Sequence, residues 1–487
     1  MYSFTDSWSI FFFILNLIYL GTAIIIAFSV ILDNRNPTKT ISWVVVLFVL
    51  PLVGLILYFL VGKNHRKEKI FSRKGIEDFE RIRDFSDNQI IELQAKANLD
   101  NPKVMSKLPI INLLLRNSKA LLTTRNKVQI LNNGEQTFAS IISELKKAKH
   151  HIHLEFYIID DDKIGNEIRE LLIVKALEGV KVRMIYDDVG CWKLSKKFLK
   201  SLEKAGVELY PFMKVRIPFL ANRINYRNHR KIIVIDGRVG FVGGVNVADR
   251  YISGNEDIPF WRDTHMKIEG EAVNSLQVVF LIDWFFVSDQ LIKDKSCFPV
   301  TRIKNTQLVQ ITASGPDSDW ASIMQAYFYA ISTAGEYIYI AVPYFIPNES
   351  IITALKTVAL SGVDVRMIIP GKADSFLAYN GTMSYVEELL EAGIRIFYYQ
   401  KGFIHSKILI VDDVFASVGT ANMDIRSFDD NFEVNALIYD EELSIELKNF
   451  FLNDLSNCLE ANLELHRKRN LKRRFIESFT RIFSPLL

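Results

Sequence analysis

The first sixty residues hold two long apolar runs separated by a polar turn. Residues 9–32 (SIFFFILNLIYLGTAIIIAFSVIL) carry no charge, DNRNPTKT (33–40) is polar, and 41–62 (ISWVVVLFVLPLVGLILYFLVG) is again charge-free. A helix needs about 20 apolar residues to cross a hydrocarbon core. Neither run keeps the polar face of a soluble helix. The pattern predicts a two-helix membrane hairpin over residues 1–62. A signal peptide is the other reading of the first run, but no basic stretch precedes it and a second run follows at once. Pro51 predicts a kink or a re-entrant element in the second run. The basic segment KNHRKEKIFSRK (63–74) follows the hairpin, whereas Asp6 is the one charge before the first run. Positive-inside counting then places residue 63 onward, and the N-terminus, on the cytoplasmic side.

Further along, short apolar runs alternate with helical periodicity. HIHLEFYII (151–159), KVRMIYD (181–187), KIIVID (231–236) and GFVGG (240–244) read as buried strands, and 135–149 and 195–205 as helices. The same order then recurs. A helix at 320–334 precedes YIYIAVPYFIP (337–347), GVDVRMII (362–369) echoes GVKVRMIY (179–186), AGIRIF (392–397) echoes AGVELY (205–210), and KILIVD (407–412) echoes KIIVID. This predicts an internal duplication of α/β type, with mixed sheets flanked by helices. The expected layout is a polar linker with helical character at 63–120, a first half at 121–294, a connector at 295–318, a second half at 319–464 and a tail at 465–487. An insertion around PFMKVRIPFLANRINYR (211–227) lengthens the first half.

Composition refines this picture in two ways. A net charge of +3 over 487 residues gives no argument for a nucleic-acid partner. Three widely spaced cysteines, Cys191, Cys297 and Cys458, offer neither a disulfide scaffold nor zinc-ligand spacing.

The strongest chemical signal is a constellation that occurs twice. His229-x-Lys231 is followed by Asp236, Gly243 and Asn246; His405-x-Lys407 is followed at the same offsets by Asp412, Gly419 and Asn422. A histidine and a lysine two apart on a strand share a face. Imidazole serves as nucleophile or general acid, and lysine as a fixed cation for a phosphate oxygen. The glycines permit close backbone approach and the asparagines offer uncharged donors. Phosphodiester exchange by double displacement needs two imidazoles, one attacking phosphorus and one protonating the leaving oxygen. Two motifs meeting at a pseudo-twofold interface would supply them.

Each imidazole also needs an acceptor on its second nitrogen. Asp263 and Glu433, at equivalent places downstream of the motifs, are the candidates. Asp236 and Asp412 are expected to hold loop backbone or lysine, or to serve simply as turn residues. Asp187 and Asp188 end a strand near the expected site, where a solvated turn is the plainer reading. His150, His151 and His153 suggest a metal cluster, but no further ligand lies at suitable spacing, which favours packing roles. Ser406 and Ser427 are placed either to bond phosphate or to cap backbone.

With these residues in view, the chain resembles the HKD-type phospholipase D superfamily, and within it the bacterial cardiolipin synthases of membrane-hairpin type. The likeness is carried by NPTKTISWVVVLFVLPLVGLILYFLVG, HIHLEFYII, NHRKIIVIDGRVGFVGGVN, PYFIPNESIITALKTVALSGVDVR and FIHSKILIVDD, and it spans nearly the whole chain. It implies two phospholipase D-like halves and transfer of a phosphatidyl group between two phosphatidylglycerol molecules, with release of glycerol. It also implies neither metal nor organic cofactor, a multi-pass protein of the bacterial cell membrane, and His229 as nucleophile with His405 as acid and base. Lys231, Lys407, Asn246 and Asn422 would hold the phosphoryl oxygens. Hydrolysis to phosphatidic acid, a membrane-tethered nuclease and a non-catalytic scaffold are the competing readings.

The tail HRKRNLKRRFIESFTRIFSPLL (466–487) is basic and then apolar, with Phe475, Ile476, Phe479, Ile482 and Phe483 on one helical face. That predicts a helix lying on anionic lipid or, alternatively, packing on the protein. The expected partners are therefore phosphatidylglycerol and anionic membrane lipid; oligomeric state is not written in the sequence.

Overall fold

The computed structural model describes residues 4–33, 37–49, 54, 102–215, 226–300 and 302–484. They fall into two units. In the N-terminal unit, α1 (Phe4–Asp33) and α2 (Pro37–Val49) meet through Ile26, Trp43 and Leu47, and the Tyr19 hydroxyl donates to the Leu47 carbonyl. Within α1, Ser9–Phe28 is long and apolar enough to cross a membrane. Its Phe12, Phe13, Ile25 and Phe28 side chains are exposed, an arrangement that water opposes and lipid favours. The second apolar run is helical to Val49; Pro51 and most of its remainder, the linker to residue 101 and the core of the insertion (216–225) lie outside the described residues.

The larger unit contains both halves. The first supplies β1 (Asn126–Asn132), β2 (His151–Phe156), β3 (Lys181–Asp187), β4 (Glu208–Phe212), β5 (Lys231–Ile235), β6 (Val239–Gly243) and β7 (Thr264–Gly270). Their lateral order is β1-β7-β6-β5-β2-β3-β4. β2, β3 and β4 run parallel and the other neighbours antiparallel. The second half supplies β8 (Val309–Ser314), β9 (Tyr337–Ala341), β10 (Asp364–Pro370), β11 (Arg395–Tyr399), β12 (Ile408–Val411), β13 (Phe415–Gly419) and β14 (Glu433–Ile438). Their order, β8-β14-β13-β12-β9-β10-β11, repeats the first with the same directions. Leu122–Thr123 extends this sheet beside β8, and Cys458–Glu460 beside β11. The repeat seen in the sequence is thus a repeat of topology.

Three apolar layers hold the unit together. Outside the first sheet, α3 (Asn133–Lys147), α4 (Lys163–Leu177) and α5 (Lys196–Lys204) bury Phe138, Ile141, Ile168, Leu172, Phe198 and Leu202. Asp162 and Ser195 start α4 and α5 by accepting the amides of Gly165 and Phe198. Between the sheets, Ile232, Val234, Val242 and Met266 meet Ile311, Ala416, Val418 and Val434. α6 (Ala272–Ser288) adds Val273 and Leu276 to this middle layer. Outside the second sheet lie α7 (Ser322–Ser332), α8 (Glu349–Leu360) and α9 (Phe376–Glu391). The helix Leu108–Asn117, within the stretch read as linker, buries Ile110, Ile111, Leu114 and Leu115 in the same outer core. Likewise β8 falls inside the 295–318 segment. α10 (Glu441–Leu455) returns to the middle layer through Leu443, Leu447 and Phe451. Each fully buried aliphatic side chain is worth about 1.5–3 kcal/mol over exposure, so the middle layer alone binds the halves firmly.

The tail forms α11 (Leu471–Arg481), which lies along α9. Arg469 bonds Glu387, Arg481 pairs with Glu388, and Tyr385 meets Ser484. Glu477, Thr480 and Ser484 face inward and are buried, while Leu471, Phe475, Phe479 and Ile482 face outward and are exposed. The helix therefore packs on the protein by its polar side and leaves its apolar stripe uncovered.

A candidate active site between the two halves

The motif histidines stand just ahead of their strands, not on them. His229 precedes β5, which begins at Lys231, and His405 precedes β12. What orients them is backbone pairing across the halves. Asn228 bridges Phe432 in parallel, with His229 N–H donating to the Phe432 carbonyl at 2.9 Å. Phe403–Ile404 pairs in parallel with Trp261–Arg262, and His405 N–H donates to the Arg262 carbonyl at 2.7 Å. Each histidine segment is therefore laid beside the other half's carboxylate segment.

The side chains repeat this crossing. His229 Nδ1 lies 3.0 Å from both Glu433 oxygens, and His405 Nδ1 lies 2.7 Å from Asp263 Oδ2. Both candidate acceptors contact a motif histidine, and each serves the histidine of the opposite half. A carboxylate on Nδ1 leaves Nε2 as the reactive nitrogen. The Lys231 ammonium donates to the His229 carbonyl at 2.7 Å and Lys407 to that of His405 at 2.6 Å, keeping both cations beside the imidazoles.

Burial dominates the electrostatics here. It pulls His229 down to about 4 against the opposing pull of Glu433. His405 is driven well below its ordinary value by burial and then by Lys407 and Lys231. Burial also depresses Lys231 to about 7 and Lys407 to about 8, and raises Asp263 to about 6. For Glu433 burial works upward, but His229, Lys231 and Thr420 outweigh it and leave the carboxyl below its usual range. Near neutral pH the site holds two neutral imidazoles, each hydrogen-bonded to a carboxylate.

The glycines act on the strands that position those carboxylates, β7 just after Asp263 and β14, which begins at Glu433. A Cβ on Gly243 would come 2.5 Å from His265 Cα, and one on Gly419 would meet Asn435 Oδ1 at 2.3 Å. Gly243 pairs with His265 and Gly419 with Asn435, each two residues past its half's carboxylate. A side chain at either glycine would push that strand away. Asp236 and Asp412 lie at the far ends of their strands from the histidines. The Asp236 carboxylate accepts the amides of Lys149, His150 and His151; that of Asp412 accepts those of Gly335, Glu336 and Tyr337. Both anchor the start of the neighbouring antiparallel strand, β2 in the first half and β9 in the second.

Between the histidines opens a cavity of about 640 Å³ lined by His229, His405, Asn246 and Asn422. Asn246 Nδ2 donates to the Tyr251 hydroxyl at 2.7 Å, and the Asn422 side chain bonds Asp424. Asp187 is buried: it accepts Asn228 N–H at 2.9 Å and pairs with Arg227, so it positions the segment leading to His229. Arg230, the middle residue of the first motif, pairs with Asp283 and donates to the Glu433 backbone carbonyl, tying that carboxylate's strand to the first half. Its counterpart Ser406 meets Thr264 at 3.3 Å, and Ser427 Oγ accepts Asn422 N–H. His151 and His153 approach Cys297, yet their ring nitrogens are already engaged by His150, Gln277 and Arg183, which knits β2 to α6. Arg250 and Arg426 also line the cavity. Sequence reasoning passed over them, although each lies four residues after its motif asparagine.

Comparison with known proteins agrees with this architecture. A family model described as cardiolipin synthase, PLD-like domain, matches residues 141–284 and 327–455, and a phospholipase D-nuclease N-terminal model matches 22–63. A cardiolipin synthase of Geobacillus sp. (strain WCH70) is 44% identical over 468 residues, covering 96% of this chain and 92% of that protein. Another, from Halalkalibacterium halodurans, is 45% identical with the same coverage of 96% and 92%. The crystal structure of phosphatidylserine synthase from Haemophilus influenzae Rd KW20 aligns over 79% of this chain and 100% of its own, with a TM-score of 0.57 and 14% identity, a likeness of fold. Two topologically equivalent halves, a site closed by residues exchanged between them and kinship along nearly the full length place the chain in the cardiolipin synthase family of phospholipase D-like enzymes.

Proposed function

We propose that the protein transfers a phosphatidyl group from one phosphatidylglycerol to a hydroxyl of a second, giving cardiolipin and glycerol through a phosphohistidine. His229 Nε2 attacks phosphorus as the P–O bond to glycerol breaks, and His405 hands its proton to the departing oxygen. The acceptor's hydroxyl then gives a proton to His405 and forms the new P–O bond as P–N breaks, so protons and electron pairs balance. Lys231 and Lys407 offset charge on the phosphoryl oxygens. Arrival of a phosphodiester anion beside the two lysines raises His405 from its depressed value, allowing it to carry the proton. The observation that carries the reading is the crossed pair of carboxylate–imidazole contacts facing one cavity. It gives two groups able to exchange nucleophile and acid roles.

The direct test is incubation of the full chain with phosphatidylglycerol in mixed micelles, following lipids and free glycerol. Cardiolipin with equimolar glycerol is expected. Phosphatidic acid in its place would convert the reading to hydrolysis.

The pH dependence should report the depressed groups. In the free enzyme His229 must be neutral, so kcat/KM rises through about 4. His405 must carry the proton and is itself depressed, so kcat/KM begins to fall below the ordinary histidine range; Lys231 must be charged, so the fall steepens above about 7. Arginine stays charged at every accessible pH, so Lys231→Arg should abolish the steeper part. A steep fall that persists in that variant would belong to another group.

We place the protein in the bacterial cell membrane through a two-span hairpin at 1–62, with both halves on the cytoplasmic side. The outward stripe of α11 then lies on anionic lipid, with the exposed Lys472 and Arg474 beside Leu471 and Phe475. In vesicles of phosphatidylglycerol and phosphatidylcholine, a nitroxide carried by Phe479→Cys in a Cys458→Ser background should collide more with oxygen than with a water-soluble nickel chelate. Full aqueous exposure there would discard the idea.

A further inference from the structure

The duplication contains a second pair of matched residues that the phosphoryl chemistry leaves unused. Arg250 lies 21 residues after His229, and Arg426 lies 21 residues after His405. Both reach the same cavity. Arg250 sits over the Tyr251 and Trp261 rings at 5.8 and 5.7 Å, and those rings stand 5.5 and 5.7 Å from the His405 ring. On the other side, the Tyr157 ring lies 5.0 Å from that of His229, and Arg426 acts electrostatically on Tyr157. The arginines thus cross over as the carboxylates do: each flanks the histidine of the opposite half. Arg250 is held by an ion pair, 3.3 Å to Asp160 at the rim, and by a hydrogen bond to the Tyr251 hydroxyl; a guanidinium carries five donors, so these two contacts do not exhaust its planar fork. Among the described residues no salt bridge engages Arg426.

The proposed reaction confronts this cavity with two phosphodiester anions at once. One is the phosphorus under attack, which belongs to Lys231 and Lys407. The other is the phosphate of the acceptor lipid, a three-carbon glycerol away from the hydroxyl that attacks. Asp257, Asp374 and Asp424 also line the cavity and would repel a second anion that met no cation of its own. His405 is the group that meets the leaving and the entering oxygens, and Arg250 is the cation on its side.

We infer that Arg250 is the subsite for the acceptor's own phosphate, which makes it a determinant of transfer to a lipid over transfer to a small alcohol or water. The inference rests on the reading given under Proposed function and deepens it. Arg426, on the His229 side, contributes instead to holding the donor. A guanidinium matches a phosphate with two parallel hydrogen bonds, which an amide cannot replace.

The test uses the full chain in mixed micelles and measures two reactions side by side. Cardiolipin formation requires two phosphates; exchange of labelled glycerol into phosphatidylglycerol requires one. In Arg250→Gln, cardiolipin formation should fall roughly ten- to a hundredfold, while glycerol exchange stays within about a factor of two. Persisting exchange also proves that the variant is folded. Asp160→Asn, which removes the rim partner but keeps the guanidinium, should retain cardiolipin formation, and Arg426→Gln should lower both reactions together. Equal loss of both reactions in Arg250→Gln, or selective loss in Arg426→Gln instead, would overturn the assignment. An unaltered enzyme that performs neither reaction would bring down the underlying reading, a result distinct from either of these.

Discussion

His405→Ala, given a phosphatidyl ester of p-nitrophenol, should release one equivalent of nitrophenolate and then stall. That leaving group departs without a proton, so the first displacement needs only the nucleophile. The second displacement needs a base for the incoming hydroxyl, and the variant has none at that position. His229→Ala should release no burst and lose about four or more orders of magnitude in turnover with either substrate, as removal of a covalent nucleophile does. A burst from His229→Ala with none from His405→Ala would reverse the two roles. Rapid-quench recovery of a phosphorylated peptide containing residue 229 supplies the same answer independently.

The orienting carboxylates should be nearly as costly to lose. Glu433→Gln keeps the shape but presents an amide to His229 Nδ1, where a carboxylate now fixes the tautomer at 3.0 Å. Loss of about 10²–10⁴ in kcat is expected, by the logic of triads whose carboxylate is neutralised. Asp263→Asn should cost a similar factor through His405. The crossing makes the two distinguishable. With the nitrophenyl ester, Glu433→Gln, a second-half substitution, should slow the burst that belongs to the first-half histidine. Asp263→Asn should spare the burst and slow the turnover that follows it. Were each carboxylate to affect the histidine of its own half, the kinetic pattern would be exchanged.

Much of this was legible before any coordinates. The repeated offsets from His229 to Asn246 and from His405 to Asn422 named residues that the fold gathers around one cavity, the candidate site, and the echoes between KIIVID and KILIVD gave the duplication. Asp263 and Glu433 were reachable because an imidazole in a relay needs a second partner. Their exchange between halves was not, since sequence order says nothing about which half's backbone a segment will pair with. That choice is made by the parallel bridges Asn228 to Phe432 and Phe403 to Trp261, contacts between residues far apart in the chain. The arginines four residues past each asparagine carried the same repeating signal and were missed because arginine is common on surfaces. The stripe in the tail was visible by its period, but the period alone could not say which side would face the protein. The buried Glu477, with Arg469 and Arg473 bonded to it, settled that in favour of the polar side.

The exchange of carboxylates has a consequence for how activity begins. During synthesis the chain produces His229 some two hundred residues before Glu433, its partner in the relay. Until the second half has folded onto the first, that imidazole lacks its anchor and faces no cavity. Under the proposed mechanism, a half-made or clipped protein therefore holds the parts of the site without a working one. The crossing would then amount to a completion check: no phosphodiester is attacked until both halves are present and closed.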